Sequence, residues 1–154
     1  MGTQAVTNAR PRGGGARILL ADDDDATRRA LCCALRYDGH RVVMAKDGQE
    51  LLNLVAHDLL SPRHPSEFDL IVTDVVMPGV SGLDVLEGLH AAGSATPFIV
   101  ITAFGSPEIE EAARRDGALF FIEKPFELDQ FREAVARSLE PHGEGEVRSE
   151  VPHA

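Results

Sequence analysis

Residues 17–31 read RILLADDDDATRRAL, and this stretch combines a strand, an acidic turn and the start of a helix. Ile18, Leu19 and Leu20 are apolar on successive positions, which is typical of a parallel strand that is covered on both faces. Four consecutive aspartates, residues 22–25, follow this strand and precede the helical segment. A strand that passes through a short polar turn into a helix is the first half of a β–α unit.

The same alternation continues along most of the chain. Strand-like runs lie at residues 17–21, 41–45, 69–73, 97–102 and 118–122, and helix-periodic segments lie at residues 25–37, 48–58, 81–91, 106–116 and 127–139. Gly39, Gly93 and Gly117 follow three of the helical segments, as helix C-termini favour. These repeated units predict an α/β fold in which a doubly wound, five-stranded parallel sheet is joined to five helices by right-handed crossovers.

The composition excludes several classes of protein. The 154-residue chain has 15 basic and 25 acidic residues, so its formal net charge is −10 and direct binding of nucleic acid is not expected. Because the apolar runs are short and the N-terminus lacks the apolar core of a secretory signal, we expect a cytoplasmic protein without membrane contact. Residues 1–16 are predicted to be a disordered leader and residues 141–154 a flexible tail, with one domain at residues 17–140.

The cysteines and histidines do not indicate a disulfide or a zinc site. Cys32 and Cys33 are neighbours in the first helical segment, where their side chains point about 100° apart. We expect both at solvent-facing or boundary positions. The six histidines lack ligand spacing and are interpreted as surface or boundary residues.

Polar side chains with complementary chemistry follow four of the predicted strands. Asp22 and Asp23 follow the first strand and Asp74 the third, while Thr102 closes the fourth and Lys124 follows the fifth. In doubly wound sheets, functional residues collect at this carboxyl edge. Three close carboxylates repel one another unless a cation joins them, and an all-oxygen set suits Mg²⁺ (or Mn²⁺). With a hydroxyl and an ammonium opposite, the set predicts phosphoryl transfer onto an aspartate.

Four blocks of this sequence resemble the signature blocks of two-component response regulator receiver domains. They are ILLADDDDATRRAL (18–31), LIVTDVVMPGVSGLDVL (70–86), FIVITAF (98–104) and FFIEKPF (120–126). The resemblance runs from about residue 16 to 140, and four blocks in the right order and spacing are highly specific. It implies the flavodoxin-like strand order 2-1-3-4-5, as in chemotaxis regulators.

The resemblance also implies roles for the individual site residues. Asp74 is then the phosphoacceptor, and Asp22 and Asp23 hold Mg²⁺, with Asp23 the direct ligand and Asp74 itself in the metal site. The backbone carbonyl of Val76 is expected to complete that site. These assignments make the chain a signalling switch rather than a metabolic enzyme, since it catalyses only its own phosphotransfer and dephosphorylation.

The remaining roles concern the phosphoryl oxygens and the first helix. By resemblance, Thr102 and Lys124 contact the phosphoryl group, and the Lys124–Pro125 peptide bond is cis. The family often has proline at the position of Asp25, which makes Asp24 the expected N-cap of the helix. The four aspartates thus divide into a metal pair and a helix start.

The family's switch offers a further expectation. Phe121 matches the switch aromatic, which rotates into space that Thr102 leaves when Thr102 moves toward the phosphoryl group. The rotation reshapes the face of helix 4, strand 5 and helix 5, where a downstream protein partner binds. The alternative is that Phe121 belongs only to the core, although Phe120 is expected to be the inward side chain of the pair.

Two positions that set the lifetime of the phosphorylated state depart from the fast members of the family. Val76, two residues after the phosphoacceptor, and Phe104, two residues after the threonine, are apolar where fast members carry polar groups. We therefore expect slow self-dephosphorylation. The expected phosphoryl donor is a histidine kinase or a phosphotransfer protein, and the chain is expected to be a monomer or a phosphorylation-dependent dimer.

Two other functions remain open at this point. Residues 23–27 read DDDAT, which resembles the first motif of haloacid-dehalogenase-type phosphatases, with Asp23 as nucleophile and Asp25 as general acid. The short chain, the missing lysine-then-acidic-pair order and an unused Asp74 argue against that function. The other alternative is a degenerate receiver that binds partners without phosphorylation.

Two features carry no assigned role. The connection HDLLSPRHPSEF, residues 57–68, is longer than usual and is interpreted as a tolerated surface insertion. About 14 residues follow the last helix, so the chain is expected to be either a stand-alone regulator or the receiver part of a longer one.

Overall fold

The computed structural model of the protein describes residues 15–61 and 66–141. The predicted leader and tail lie outside the described residues, apart from Gly15, Ala16 and Pro141. The 62–65 portion of the long connection also lies outside them. Within the described residues, no helix is long and apolar enough to cross a membrane.

The described chain alternates five strands and five helices. The strands are β1 (Arg17–Ala21), β2 (Arg41–Ala45), β3 (Leu70–Asp74), β4 (Phe98–Thr102) and β5 (Phe120–Glu123). The helices are α1 (Asp25–Tyr37), α2 (Gly48–Leu60), α3 (Gly82–Ala91), α4 (Pro107–Arg115) and α5 (Leu128–Ser138). All strand pairs are parallel, and the sheet order is β2-β1-β3-β4-β5. The predicted fold and strand order are therefore confirmed.

Two helical layers cover the sheet and explain why its central strands carry apolar side chains on both faces. One layer contributes buried side chains from α2, α3 and α4, namely Leu51, Val55, Val85, Leu86, Leu89 and Ala113. The other contributes buried side chains from α1 and α5, namely Leu31, Leu35, Phe131, Ala134 and Val135. Every residue of β3 and of β4 is buried, and each large apolar side chain so buried stabilises the fold by about 1.5–3 kcal/mol.

Short polar side chains are the N-caps of four of the helices. The side chains of Asp24, Asp47, Ser81 and Ser106 accept a backbone N–H of the first turn of α1, α2, α3 and α4. Asp24 is thus the N-cap of α1, as the sequence predicted. At the other end, Gly39, Gly93 and Gly117 have φ of 89°, 75° and 95°, the left-handed conformation of a helix C-terminal glycine.

The observed boundaries differ from the predicted ones by at most two residues. The most informative difference is at β3, which begins at Leu70 and includes Asp74, whereas the prediction ended it at residue 73. Asp69 precedes the strand, and its carboxylate accepts the N–H of Arg17 at 2.8 Å. The phosphoacceptor candidate Asp74 is consequently held by the sheet itself, since it pairs with Ile101 of β4.

Two predictions about burial were wrong. Cys32 is 3% exposed because it shares the inner face of α1 with Leu31 and Leu35, whereas Cys33 is exposed as expected. Phe120 is not the inward member of its pair: Phe120 and Phe121 are both buried, on opposite faces of β5. Side chains alternate along a strand, and each face of β5 is covered by a helical layer.

Candidate functional site

The carboxyl edge of the sheet gathers all five chemically complementary residues of the sequence. Asp22 and Asp23 follow β1, Asp74 ends β3, Thr102 ends β4 and Lys124 follows β5. The parallel register brings these strand ends level, because Asp74 is paired with Ile101 and Thr102 with Glu123. Positions that are separated by up to 102 residues in the sequence therefore meet at one place.

A lysine bridges two aspartates at the centre of this site. The Nζ atom of Lys124 donates to Oδ2 of Asp22 at 2.7 Å and to Oδ2 of Asp74 at 2.8 Å. The Asp22 side chain is fully buried, the Asp74 side chain is 7% exposed and the Lys124 side chain is 18% exposed. Because the ammonium is shared between two nearly buried carboxylates, it balances only part of their charge.

The pKa shifts of this group follow from that incomplete balance. Burial raises the pKa of the Asp22 carboxyl, although the hydrogen bonds from Lys124 and from the N–H of Asp24 lower it in part. Burial also disfavours the charged form of Lys124, but its hydrogen bonds to Asp22 and Asp74 outweigh burial and raise its pKa. Lys124 is accordingly a permanent cation at neutral pH, beside a carboxylate that needs further positive charge.

The donor set of the site fits a hard divalent cation. Asp22, Asp23 and Asp74 each offer a carboxylate oxygen, and these three oxygens lie within 4.8 Å of one another. Asp23 is exposed, so the group is open to solvent on one side. Oxygen-only ligands with room for several waters are what Mg²⁺ prefers in proteins. The residues therefore fit the Mg²⁺ site that the sequence predicts, and their individual roles stay predictions.

Two backbone N–H groups hold the site side chains from the loops that follow β3 and β4. The N–H of Val76 donates to Oδ1 of Asp74 at 3.2 Å, and the N–H of Phe104 donates to Oγ1 of Thr102 at 3.1 Å. The Val76 side chain is 51% exposed and that of Phe104 is 70% exposed. Val76 and Phe104 are thus exposed apolar residues in the loops just after Asp74 and Thr102, and we call this pair the mouth of the site. The expected role of the Val76 carbonyl in metal binding stays a prediction.

A glycine lets the start of α3 lie against the end of β3. A Cβ atom at Gly82 would lie 2.1 Å from the backbone oxygen of Asp74, far inside contact distance. The absence of a side chain lets the first turn of α3 approach the end of β3. After β5, the Lys124–Pro125 bond is cis, the isomer predicted from the sequence.

Sequence reasoning missed one residue that touches the site. Arg28, in the first turns of α1, donates from a guanidinium nitrogen to the backbone oxygen of Asp22 at 2.7 Å and pairs with Asp25. Its side chain is only 11% exposed. Its spacing of three from Asp25 was the available signal, but a helical arginine at that spacing also reads as an ordinary surface pair.

Comparison with known proteins finds one family over most of the chain. Residues 18–136 match the response regulator receiver domain family. The chain is 37% identical over 134 residues to response regulator MprA of Mycolicibacterium vanbaalenii, which covers 84% of this chain and 54% of that protein. It is 40% identical over 91 residues to transcriptional regulatory protein FixJ of Azorhizobium caulinodans, covering 56% and 43%. The chain spans about half the length of these curated relatives.

Solved structures show the same architecture. The receiver domain of the Francisella response regulator 1452 superposes with a TM-score of 0.71 at 26% identity, covering 82% of this chain and 98% of that one. Chemotaxis protein CheY4 of Vibrio cholerae superposes with a TM-score of 0.69 at 27% identity, covering 81% and 99%.

Proposed function

The chain belongs to the response regulator receiver domain family of two-component systems, and on that premise we propose that Asp74 accepts a phosphoryl group with the help of Mg²⁺. The observation that carries this proposal is that Asp74 accepts a hydrogen bond from Lys124 and lies beside the acidic pair Asp22–Asp23. A carboxylate in that position can act as a nucleophile toward phosphorus while its neighbours balance the charge of the incoming group.

In the proposed reaction, a carboxylate oxygen of Asp74 attacks the phosphorus of a phosphohistidine donor. The new oxygen–phosphorus bond forms as the phosphorus–nitrogen bond breaks, and the electron pair of that bond leaves with the imidazole nitrogen. Lys124 shifts its hydrogen bonds from the carboxylates toward a phosphoryl oxygen, and the Thr102 hydroxyl donates to another. Mg²⁺, when held by Asp22, Asp23, Asp74 and the Val76 carbonyl, supplies charge neutralisation at the transferring group.

The phosphatase alternative is not favoured by the geometry. It needs Asp25 as a general acid beside Asp23, but Asp25 lies in α1, pairs with Arg28 and is 72% exposed. It also leaves no role for Asp74, whose carboxylate is bonded to Lys124. The degenerate receiver is disfavoured because such a receiver would lack one or more of the site side chains. Here three acids, a hydroxyl and an ammonium are all present at the sheet edge.

The proposed output is a change in the surface formed by α4, β5 and α5. Phe121 is 3% exposed and packs in the same apolar cluster as Ala113 of α4, so a movement of Thr102 toward the phosphoryl group would change the packing under α4. A local charge change then biases a two-state equilibrium of this face. We assign this face to a downstream protein partner, and the site edge to a histidine kinase or phosphotransfer protein.

The test of the function is phosphorylation from a small-molecule donor. Incubation with acetyl phosphate and Mg²⁺ is expected to place one base-labile phosphoryl group on the chain, since acyl phosphates hydrolyse in base. Chelation of the metal is expected to abolish the labelling because the carboxylates would then repel the donor. Mass spectrometry of the intact chain measures the result. Labelling that is equally fast with and without a chelator would contradict the metal's role.

A second prediction concerns the lifetime of the phosphorylated chain. The two apolar side chains at the mouth, Val76 and Phe104, offer no group that could orient an attacking water, so the phosphoryl group is expected to last for minutes or longer. Replacing both by polar residues, Val76→Asn with Phe104→Glu, is expected to shorten the half-life by about tenfold, because general-base positioning of water is restored. Loss of the radiolabel after removal of the donor measures the rate.

The matched control for this prediction keeps the mouth apolar. Val76→Ile with Phe104→Leu is expected to dephosphorylate at the wild-type rate. A half-life of only seconds in the unmodified chain with Mg²⁺ would show that the apolar mouth does not slow hydrolysis.

A further inference from the structure

The buried arginine of α1 does more than pair with its neighbour in the helix. We propose that Arg28 is a positioning residue for the cation site, which acts by holding the peptide between Asp22 and Asp23 in the orientation that metal binding needs. This inference rests on the proposed function, since it concerns affinity for the cation that phosphoryl transfer requires.

The contacts of Arg28 span the acidic turn. One guanidinium nitrogen donates to the backbone oxygen of Asp22 at 2.7 Å, and another pairs with the carboxylate of Asp25. The Arg28 side chain is 11% exposed although its partner Asp25 is 72% exposed. The guanidinium is thus packed over the turn, and the two metal-ligand candidates lie at and immediately after the carbonyl that it binds.

Helix energetics act on this placement in two opposite ways, since the pair with Asp25 at a spacing of three is favourable and the position near the helix start is not. The N-terminal turns of a helix carry a partial positive charge, so a cation there is unfavourable and acidic side chains are preferred. Arg28 is nevertheless turned back toward this end of α1. The pair with Asp25 belongs to the helix, but the hydrogen bond to the Asp22 carbonyl goes to a group outside the helix and supports the turn.

The backbone of this turn matters because it has to set the direction of the Asp23 side chain. Both oxygens of the Asp22 side chain are bound, Oδ1 by the N–H of Asp24 at 2.9 Å and Oδ2 by Lys124. Asp23 is exposed, and within the described residues no hydrogen bond holds its carboxylate. The direction of the Asp23 side chain is therefore set by its backbone, and Arg28 holds the peptide that precedes it.

The charge of Arg28 and its positioning role would change the affinity for the cation in opposite directions when Arg28 is removed. Removing the guanidinium charge would strengthen the binding of a divalent cation to the three carboxylates, because the guanidinium and the cation repel each other. Removing a group that orients a ligand would weaken it, and such supporting hydrogen bonds are typically worth about 10- to 100-fold in metal affinity. The sign of the change in affinity separates the two effects.

The experiment is a calorimetric titration of the metal-free chain with Mg²⁺ alone. The dissociation constant of Arg28→Met is expected to be about tenfold higher than that of the wild type. Arg29→Met is the matched control, because it removes the same charge from an exposed position of the same helix. Arg28→Lys retains the charge and a single donor but not the planar pair of donors, so its dissociation constant is expected between those of the wild type and Arg28→Met.

A second readout separates positioning from general damage to the fold. For Arg28→Met, the Mg²⁺ concentration that gives half-maximal phosphorylation is expected to rise about tenfold, in line with the metal affinity. The rate at saturating Mg²⁺ is expected to equal that of the wild type. A purely structural role would lower the unfolding temperature and leave this half-maximal concentration unchanged.

The outcomes of the Mg²⁺ titrations distinguish failure of the Arg28 inference from failure of the proposed function. An affinity of Arg28→Met that equals or exceeds that of the wild type overturns the positioning role while the proposed function stands. If Arg28→Met does not fold, Arg28→Lys decides, and a wild-type dissociation constant for it overturns the inference. A wild-type chain that binds no Mg²⁺ overturns the proposed function and the inference with it.

Discussion

Replacing Asp74 by asparagine is expected to abolish phosphorylation by acetyl phosphate, with a loss of more than about a thousandfold in the rate of labelling. The amide keeps the shape of the side chain, although its single oxygen can accept only one of the two hydrogen bonds that the Val76 N–H and Lys124 donate to the carboxylate. It is a poor nucleophile, however, because its oxygen carries no formal charge. The fold is expected to persist, which circular dichroism checks alongside the labelling measured by mass spectrometry.

The control for this substitution makes the same chemical change on the surface. Asp84, in the first turn of α3, is exposed, and Asp84→Asn is expected to label at the wild-type rate. Asp23→Asn is informative in another way, since it removes a proposed metal ligand and would abolish hydrolysis by a phosphatase that used Asp23. Turnover of a phosphate ester that survives Asp74→Asn but not Asp23→Asn would overturn the receiver chemistry.

Lys124→Met is expected to slow phosphorylation by about 100-fold, the usual effect of removing one preorganised donor from a site where charge develops. Methionine approximates the length and apolar volume of the lysine stem but carries no charge. The Asp74 nucleophile is still present in this variant, so labelling is expected to be slow rather than absent. Measuring the rate at several Mg²⁺ concentrations separates loss of the ammonium from any change in metal affinity.

The same substitution is expected to lower the stability of the metal-free protein. Asp22 is fully buried and would lose its ammonium partner, which is expected to cost about 2 kcal/mol in the free energy of unfolding at neutral pH. This is less than for a fully buried pair because the Lys124 side chain is 18% exposed. Urea unfolding with and without Mg²⁺ measures the cost, and Mg²⁺ is expected to reduce it by restoring positive charge beside Asp22.

The pH dependence of that cost has a definite sign. Burial raises the pKa of Asp22 even with Lys124 present, and the variant lacks the hydrogen bond that lowers this pKa. The folded variant therefore binds a proton more readily than the unfolded chain, so its stability increases as the pH falls through the raised pKa. The difference in the free energy of unfolding between Lys124→Met and the wild type is therefore expected to become smaller as the pH falls.

The exposed lysine of the chain provides the control. Lys46→Met removes the same charge from an exposed side chain that, among the described residues, pairs with none of the site carboxylates, and its stability is expected to stay within about 0.5 kcal/mol of the wild type. A Lys124→Met chain that labels at the wild-type rate would remove Lys124 from the proposed chemistry. A stability equal to that of the wild type would mean that Asp22 does not depend on this ammonium.

Local sequence patterns predicted the architecture well, because the strands and the helix ends depend on residues that are close together in the sequence. Runs such as RILLA and FIVIT are apolar on both faces, which in a short strand is compatible only with cover on both sides of a sheet. Ser and Asp at helix starts and glycine at helix ends act within one turn of the chain. Burial was predicted less well at Cys32, because one of two adjacent helical residues can face the core while the other faces solvent.

The sequence by itself determined the order of strands and helices, the acid, hydroxyl and ammonium at the ends of four strands, and the resemblance that gives them roles. It could not determine that Lys124 bridges Asp22 and Asp74, that Phe120 and Phe121 are both buried, or that Arg28 reaches back to the Asp22 carbonyl. These contacts depend on how the parallel strands align and how the helices cover them. Only the tertiary structure brings such distant residues within hydrogen-bonding distance, and there burial and shared charge set the pKa values that local sequence cannot encode.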